Sequence, residues 1–119
     1  MKVLVADDSS TMRKIILRSL QAVGINQTAE ATDGADALNQ FQQGAFDLVL
    51  TDWNMPVKDG LELTRDIRAL GSQVPVIMIT TESEKQHVLE AILAGVSDYL
   101  IKPFTAEMLR DKLGRFVPN

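Results

Sequence analysis

The chain is predicted to fold as a doubly wound α/β domain, a parallel sheet with helices on both faces. Short apolar runs alternate with helical patterns through the whole sequence. Three of the runs are near-continuously apolar, as strands buried on both faces must be. Four of the helical patterns close on a glycine, Gly24, Gly44, Gly71 or Gly95, the residue that ends a helix at least cost. Strands that alternate with helices in this way pair in parallel, because each connection is long enough to cross back over the sheet.

The first strand is read at Val3 to Ala6. Met12, Ile15, Ile16, Leu20 and Val23 then fall on one face of a helix. The second strand, Thr28 to Ala31, rests on alternation of residue type rather than on hydrophobicity, and Leu38 and Phe41 mark the helix after it. The third strand is Leu48 to Thr51, and Leu63, Ile67 and Leu70 mark the third helix. Val74 to Ile79 form the fourth strand. Val88, Ala91 and Ile92 mark the fourth helix, for which Ser83 and Gln86 offer a capping-box spacing. Tyr99 to Ile101 form the fifth strand, and Leu109, Leu113 and Phe116 the apolar face of a last helix capped by Thr105. With 119 residues and no linker-like or low-complexity stretch, a single domain over residues 1–119 is expected, with no output domain.

Composition removes several classes of function. The 45% hydrophobic and 24% charged residues are those of a globular protein. Sixteen acidic against 12 basic residues give a net charge of −4, which disfavours broad binding to nucleic acid or an anionic membrane. Without cysteine there is no disulfide, thiolate metal site or thiol nucleophile. No apolar run approaches the roughly 20 residues of a membrane helix, and the five-residue run at the N-terminus is too short for a signal peptide. A soluble, cytoplasmic, monomeric protein is expected.

In open parallel sheets ligands bind beyond the carboxyl ends of the strands, and the chemistry here gathers at those ends. Asp7 and Asp8 follow the first strand, Asp52 and Asn54 the third, Thr80 and Thr81 the fourth, and Lys102 and Pro103 the fifth. Each has an ordinary use as a helix cap, a turn former or a solvated loop residue. Together they do something else. Three carboxylates at one place repel unless a cation lies among them, and no His, Cys or Arg is expected there. An oxygen-rich set without soft ligands suits Mg²⁺. A carboxylate is a competent nucleophile towards phosphorus, and phosphoryl transfer needs mainly positioning and neutralised charge. The Lys102 ammonium and the Thr80 hydroxyl are suited to neutralise and hydrogen-bond phosphoryl oxygens.

The acid pair in VADDS, the acid in LTDWNMP, the hydroxyl in MITTE, the aromatic in SDYLI and the KPF triplet together resemble the receiver domain of two-component response regulators. The resemblance spans essentially the whole chain and leans towards the chemotaxis type. It implies a flavodoxin-like (βα)5 fold with strand order 2-1-3-4-5. It implies Asp52 as phospho-acceptor, and Asp7, Asp8, Asp52 and the Asn54 backbone carbonyl as Mg²⁺ ligands. Lys102 would contact the phosphoryl group, Thr80 and Tyr99 would form a switch pair, and Asn54 and Glu82 would tune dephosphorylation. A partner face from the fourth helix, fifth strand and fifth helix would include Glu84, Lys85, Val88, Ile92, Tyr99, Lys112 and Arg115. A histidine kinase would be the phosphodonor, with the flagellar motor switch and a phosphatase as further partners. The family also makes Lys102–Pro103 a candidate cis peptide. Thr81 departs from the small residue common there, and its branched side chain is expected to bias the aromatic switch, in a direction the sequence leaves open, by occupying space near Tyr99.

A stand-alone receiver in a phosphorelay outside chemotaxis is the nearest alternative. An aspartate-nucleophile phosphatase would need a second acid two residues after Asp52, where Asn54 stands. A flavin binder would have to hold a phosphate against Asp7 and Asp8. His87, the lone histidine, reads as an exposed mid-helix residue, and Trp53 as partly packed on the loop beside Asp52.

Overall fold

A computed structural model describes residues 1–81 and 87–116. The elements run β1 (Lys2–Ala6), α1 (Ser10–Ala22), β2 (Gln27–Ala31), α2 (Gly34–Gln43), β3 (Leu48–Asp52), α3 (Gly60–Ala69), β4 (Val76–Thr81), α4 (Val88–Ala94), β5 (Asp98–Lys102) and α5 (Ala106–Leu113). The strands pair in parallel in the order β2-β1-β3-β4-β5, the doubly wound arrangement expected. Alternation along the strands sends residues to two cores. Leu4, Val49, Val76 and Met78 meet Ala37 of α2, Leu63 and Ile67 of α3 and Ala91 of α4. Val3, Val5, Leu50 and Ile77 meet Ile16 and Leu20 of α1 and Leu109 and Leu113 of α5. Each large side chain buried this way contributes about 1.5–3 kcal/mol, so the sheet is held from both sides.

The strands extend beyond their apolar runs. β3 includes Asp52, β5 runs from Asp98 to Lys102, and β4 is displaced two residues from its expected start. Pro75 explains the displacement: it has no N–H for the ladder, although its carbonyl accepts from Val49 N at 2.9 Å. β4 therefore begins at Val76 and continues through Thr80 and Thr81, which pair with Ile101 and Lys102. Polar residues stay in register because the backbone pairs regardless of side chain.

Helix ends follow local chemistry. Ser9, Asp33, Asp59 and Thr105 cap α1, α2, α3 and α5, each accepting a backbone N–H of the first turn. Asp59 and Glu62 form a reciprocal capping box. Leu70 lies past the end of α3 and is exposed, not on its buried face, and Phe116 lies past α5 yet still packs on the second core. In α4 only Ala91 of the expected apolar face is buried; Ile92 is 51% exposed. His87 is exposed as expected, but it immediately precedes Val88, the first residue of α4, rather than lying mid-helix. The expected Ser83–Gln86 cap falls outside the described residues. The far end of α4 is fixed to α3: the Arg68 guanidinium donates twice to the Gly95 carbonyl, at 3.1 and 2.8 Å, and once to that of Ser72 at 3.1 Å.

Gly60 sits directly behind the end of β3. Its N–H donates to the Trp53 carbonyl at 2.8 Å, and a Cβ there would lie 2.3 Å from the Asp52 carbonyl oxygen and 2.8 Å from the Met78 sulfur. Gly71, by contrast, has a left-handed φ of +85° but open space around it. Gly60→Ala is therefore expected to lose roughly 2–3 kcal/mol in urea unfolding, against about 1 kcal/mol for Gly71→Ala. Equal losses, or a smaller one at Gly60, would contradict this account of the close approach.

Candidate functional site

The register brings the carboxyl ends of β1, β3, β4 and β5 together. Ala6 pairs with Thr51, Asp52 with Ile79, and Thr81 with Lys102. The first residues beyond β1 and β3 remain tied to the neighbouring strands: Asp7 N donates to Ala31 O at 3.0 Å, and Trp53 N to Ile79 O at 3.1 Å. The acids at these ends thus inherit the rigidity of the sheet.

Asp7, Asp8 and Asp52 form one cluster. One carboxylate oxygen from each lies within 4.8 Å of the others. Asp7 is fully buried and Asp52 is 7% exposed, while Asp8 faces solvent. The Asp7 Oδ1 accepts from Ser9 N at 2.8 Å. Among the described residues its Oδ2 is buried with no hydrogen-bond partner, as is the Thr80 Oγ1. A cation does lie among the acids: Lys102 Nζ is 3.2 Å from Asp52 Oδ1 and 3.8 Å from Asp7 Oδ2. A second stands beside them, contrary to the expectation of no arginine. Arg13 Nη1 donates to the Asp7 carbonyl at 2.7 Å, and its Nε pairs with Glu30 at 3.0 Å. Neither contact has a sequence signature, because Arg13 reads as one more polar residue of a helical turn.

Burial governs the electrostatics. It raises the Asp52 carboxyl to about 6; Lys102 opposes the shift and the negative charge of Asp7 adds to it. Burial also raises Asp7, opposed by the Ser9 N–H, Lys102 and Arg13 and reinforced by Asp8. One ammonium does not compensate two buried carboxylates, and the site is short of positive charge.

The other expected residues divide into two groups. Asn54 is exposed on the β3–α3 loop. Trp53, expected to be only partly packed, is 8% exposed within the core, its ring 6.3 Å from that of His87. The Lys102–Pro103 peptide is cis, as the family resemblance implied. Tyr99 is half-buried, with Lys112 Nζ 5.4 Å from its ring centroid. Val88 is half-buried near the start of α4, and Arg115 is exposed beyond α5. Glu82, Glu84 and Lys85 lie outside the described residues. Thr81 does not stand beside Tyr99: it pairs with Lys102 and Tyr99 with Met78, and the odd spacing sends the two side chains to opposite faces of the sheet. Sequence reasoning missed Asp98, which accepts from Lys112 at 3.0 Å and Arg115 at 2.8 Å and ties β5 to α5. The spacing of three between Lys112 and Arg115 was the available signal.

The model of the response regulator receiver domain matches residues 3–114. The chain is 47% identical over 117 residues to the chemotaxis protein CheY-3 of Vibrio cholerae, covering 97% of this chain and 90% of that one. It is 46% identical over 115 residues to the chemotaxis protein CheY of Pseudomonas aeruginosa, covering 95% and 93%. Among solved structures, the chemotaxis response regulator CheY4 of Vibrio cholerae superposes with a TM-score of 0.89 at 35% identity, covering 98% of both chains. The receiver domain of the Francisella response regulator 1452 gives 0.88 at 32%, covering 97% and 94%. With its sheet order, its acid cluster and a family match over nearly its full length, this chain belongs to the response regulator receiver domain family.

Proposed function

We propose that Asp52 accepts a phosphoryl group from a histidine kinase and that the chain signals through its α4-β5-α5 face, in chemotaxis towards the flagellar motor switch. As a receiver domain it is a signalling protein rather than an enzyme, and membership of the family implies a histidine kinase as phosphodonor. The observation that carries the reading is the placing of Asp52 Oδ1 3.2 Å from Lys102 Nζ inside a cluster of three carboxylates. The chemotaxis assignment draws on relatives at 46–47% identity that are themselves chemotaxis proteins, each matched over at least 90% of its length.

An Asp52 carboxylate oxygen forms the new O–P bond as the P–N bond of a phosphohistidine breaks and the imidazole keeps the electron pair. Lys102 neutralises one phosphoryl oxygen, and the buried, unpartnered Thr80 hydroxyl is available to donate to another. Mg²⁺ fits the remaining donors: Asp7, Asp8, Asp52 and the Asn54 carbonyl offer only oxygen, and Asp7 Oδ2 is buried without a partner. Bound there, the ion would supply the positive charge that the carboxylates and the phosphoryl oxygens require. Signal output through Thr80 and Tyr99 follows if Tyr99 turns as Thr80 engages the phosphoryl group, changing the surface that Val88, Ile92, Lys112 and Arg115 share. Asn54 and Glu82 are assigned to the tuning of dephosphorylation, and the cytoplasm is the proposed location; among the described residues no helix is long and apolar enough to cross a membrane.

Two outcomes follow. Incubation with acetyl phosphate and Mg²⁺ should add one phosphoryl mass to the wild type and none to Asp52→Asn; equal gain by both would refute the assignment of Asp52. Stability should also respond to the same residue. In metal-free buffer the folded Asp52 holds its proton up to a pH of about 6, while the unfolded chain releases it near 3.8, so stability falls as pH rises through that window. Asp52→Asn removes that cost and should be more stable than wild type at pH 7.5, by roughly 1–3 kcal/mol in urea unfolding. The gap should close below about pH 3, where the carboxyl is largely neutral in both states. A less stable Asp52→Asn at pH 7.5 would contradict the raised pKa.

A further inference from the structure

Among the described residues Arg13 is a charged side chain that holds the backbone of the acid cluster, at the Asp7 carbonyl, and has no part in the chemistry above. It lies in the first turn of α1 with its side chain only 15% exposed. Its backbone N–H donates to the Ser9 carbonyl at 3.0 Å, and its Nη1 to the Asp7 carbonyl at 2.7 Å. Its Nε pairs with Glu30 Oε1 on β2 at 3.0 Å. One residue thus closes the β1–α1 loop from the helix side and ties it to the edge strand. The loop so closed consists of Asp7, Asp8 and Ser9.

The consequences for Asp7 can be followed atom by atom. Its amide is fixed to Ala31 O, its carbonyl to Arg13 and its Oδ1 to Ser9 N. Only Oδ2 is left, buried and without a hydrogen-bond partner, 3.8 Å from Lys102 Nζ. A carboxylate held at every other polar atom presents its last oxygen in one direction. We infer that Arg13 is a positioning residue for divalent-cation binding: by gripping the Asp7 carbonyl and Glu30 together, it sets the aim of the Asp7 and Asp8 carboxylates. The inference rests on the reading of Asp7, Asp8 and Asp52 as the Mg²⁺ site.

The sign of the effect separates this role from plain electrostatics. A fixed positive charge beside a cation site weakens cation binding, so deleting it should tighten Mg²⁺ if charge were all that mattered. Loss of a group that orients a ligand weakens binding instead, on the order of tenfold. Wild type, Arg13→Gln and Arg13→Lys are titrated with MgCl₂ at constant ionic strength, reading Trp53 fluorescence beside Asp52, with urea unfolding of each run in parallel. Arg13→Gln should raise the Mg²⁺ dissociation constant about tenfold. Arg13→Lys, which keeps the charge but loses the planar fork that serves both contacts, should fall between it and wild type. Arg13→Gln binding as tightly as wild type, or more tightly, overturns the inference, even if its urea midpoint has fallen. Should Arg13→Gln not fold, Arg13→Lys decides: weaker binding supports the role and unchanged binding refutes it. A wild type that gives no response to Mg²⁺ refutes the metal-site reading and this inference with it, whereas a response shared equally by the variants refutes this inference alone.

Discussion

Everything in this domain is arranged around a charge imbalance at the carboxyl edge of the sheet. Two buried carboxylates, Asp7 and Asp52, share one ammonium, Lys102, with Asp8 at the rim. In a low-dielectric setting such a cluster is unfavourable by several kcal/mol unless a further cation joins it. A core that existed only for stability would fill that space with apolar side chains. The sheet instead holds the acids in place by pairing them into, or just beyond, its strands, and two apolar cores clamp the sheet from either side. Stability elsewhere sustains strain here, which is the usual economy of a functional site.

The same imbalance bears on the proposed phosphorylation and signalling. A cluster short of positive charge can hold a metal ion, and with such an ion the proposed phosphoryl group would be a tolerable addition. The unpartnered Thr80 hydroxyl lies at the end of β4, two residues beyond Met78, the register partner of Tyr99. Tyr99 in turn lies under Lys112 of α5, and Asp98 binds both Lys112 and Arg115. By alternation Thr80 and Tyr99 share one face of the sheet, and the Tyr99 ring leads on to the charged side chains of α5. Meanwhile Arg68 holds the C-terminal end of α4 against α3, so any rearrangement of that helix has a fixed end to turn about.

Much of this was legible in the sequence. Continuous apolar runs located β1, β3 and β4, and glycines located helix ends, because burial and backbone conformation leave direct marks on residue type. Asp52 and Lys102 stood out because an acid or an amine at the end of an apolar run contradicts the run. The less legible parts were those fixed by tertiary contact. Pro75 displaced β4, and pairing carried polar Thr80 and Thr81 into the sheet, where hydrophobicity had ended the strand early. Arg13 reaches back six positions to the Asp7 carbonyl and forward 17 to Glu30, and Asp98 meets Lys112 and Arg115 14 and 17 positions on, contacts that local residue type does not mark. The place of Thr81 is illegible for a related reason: its face depends on register, which proximity in sequence does not give.

Asp52, a buried acid with a raised pKa, is proposed to respond to metal. Its carboxyl carbon can be followed directly by ¹³C NMR over a pH titration, first in metal-free buffer and then with saturating Mg²⁺. Titration near pH 6 without metal and a marked downward shift with it are expected. Titration near the ordinary value of 3.8, unmoved by Mg²⁺, would contradict the proposal.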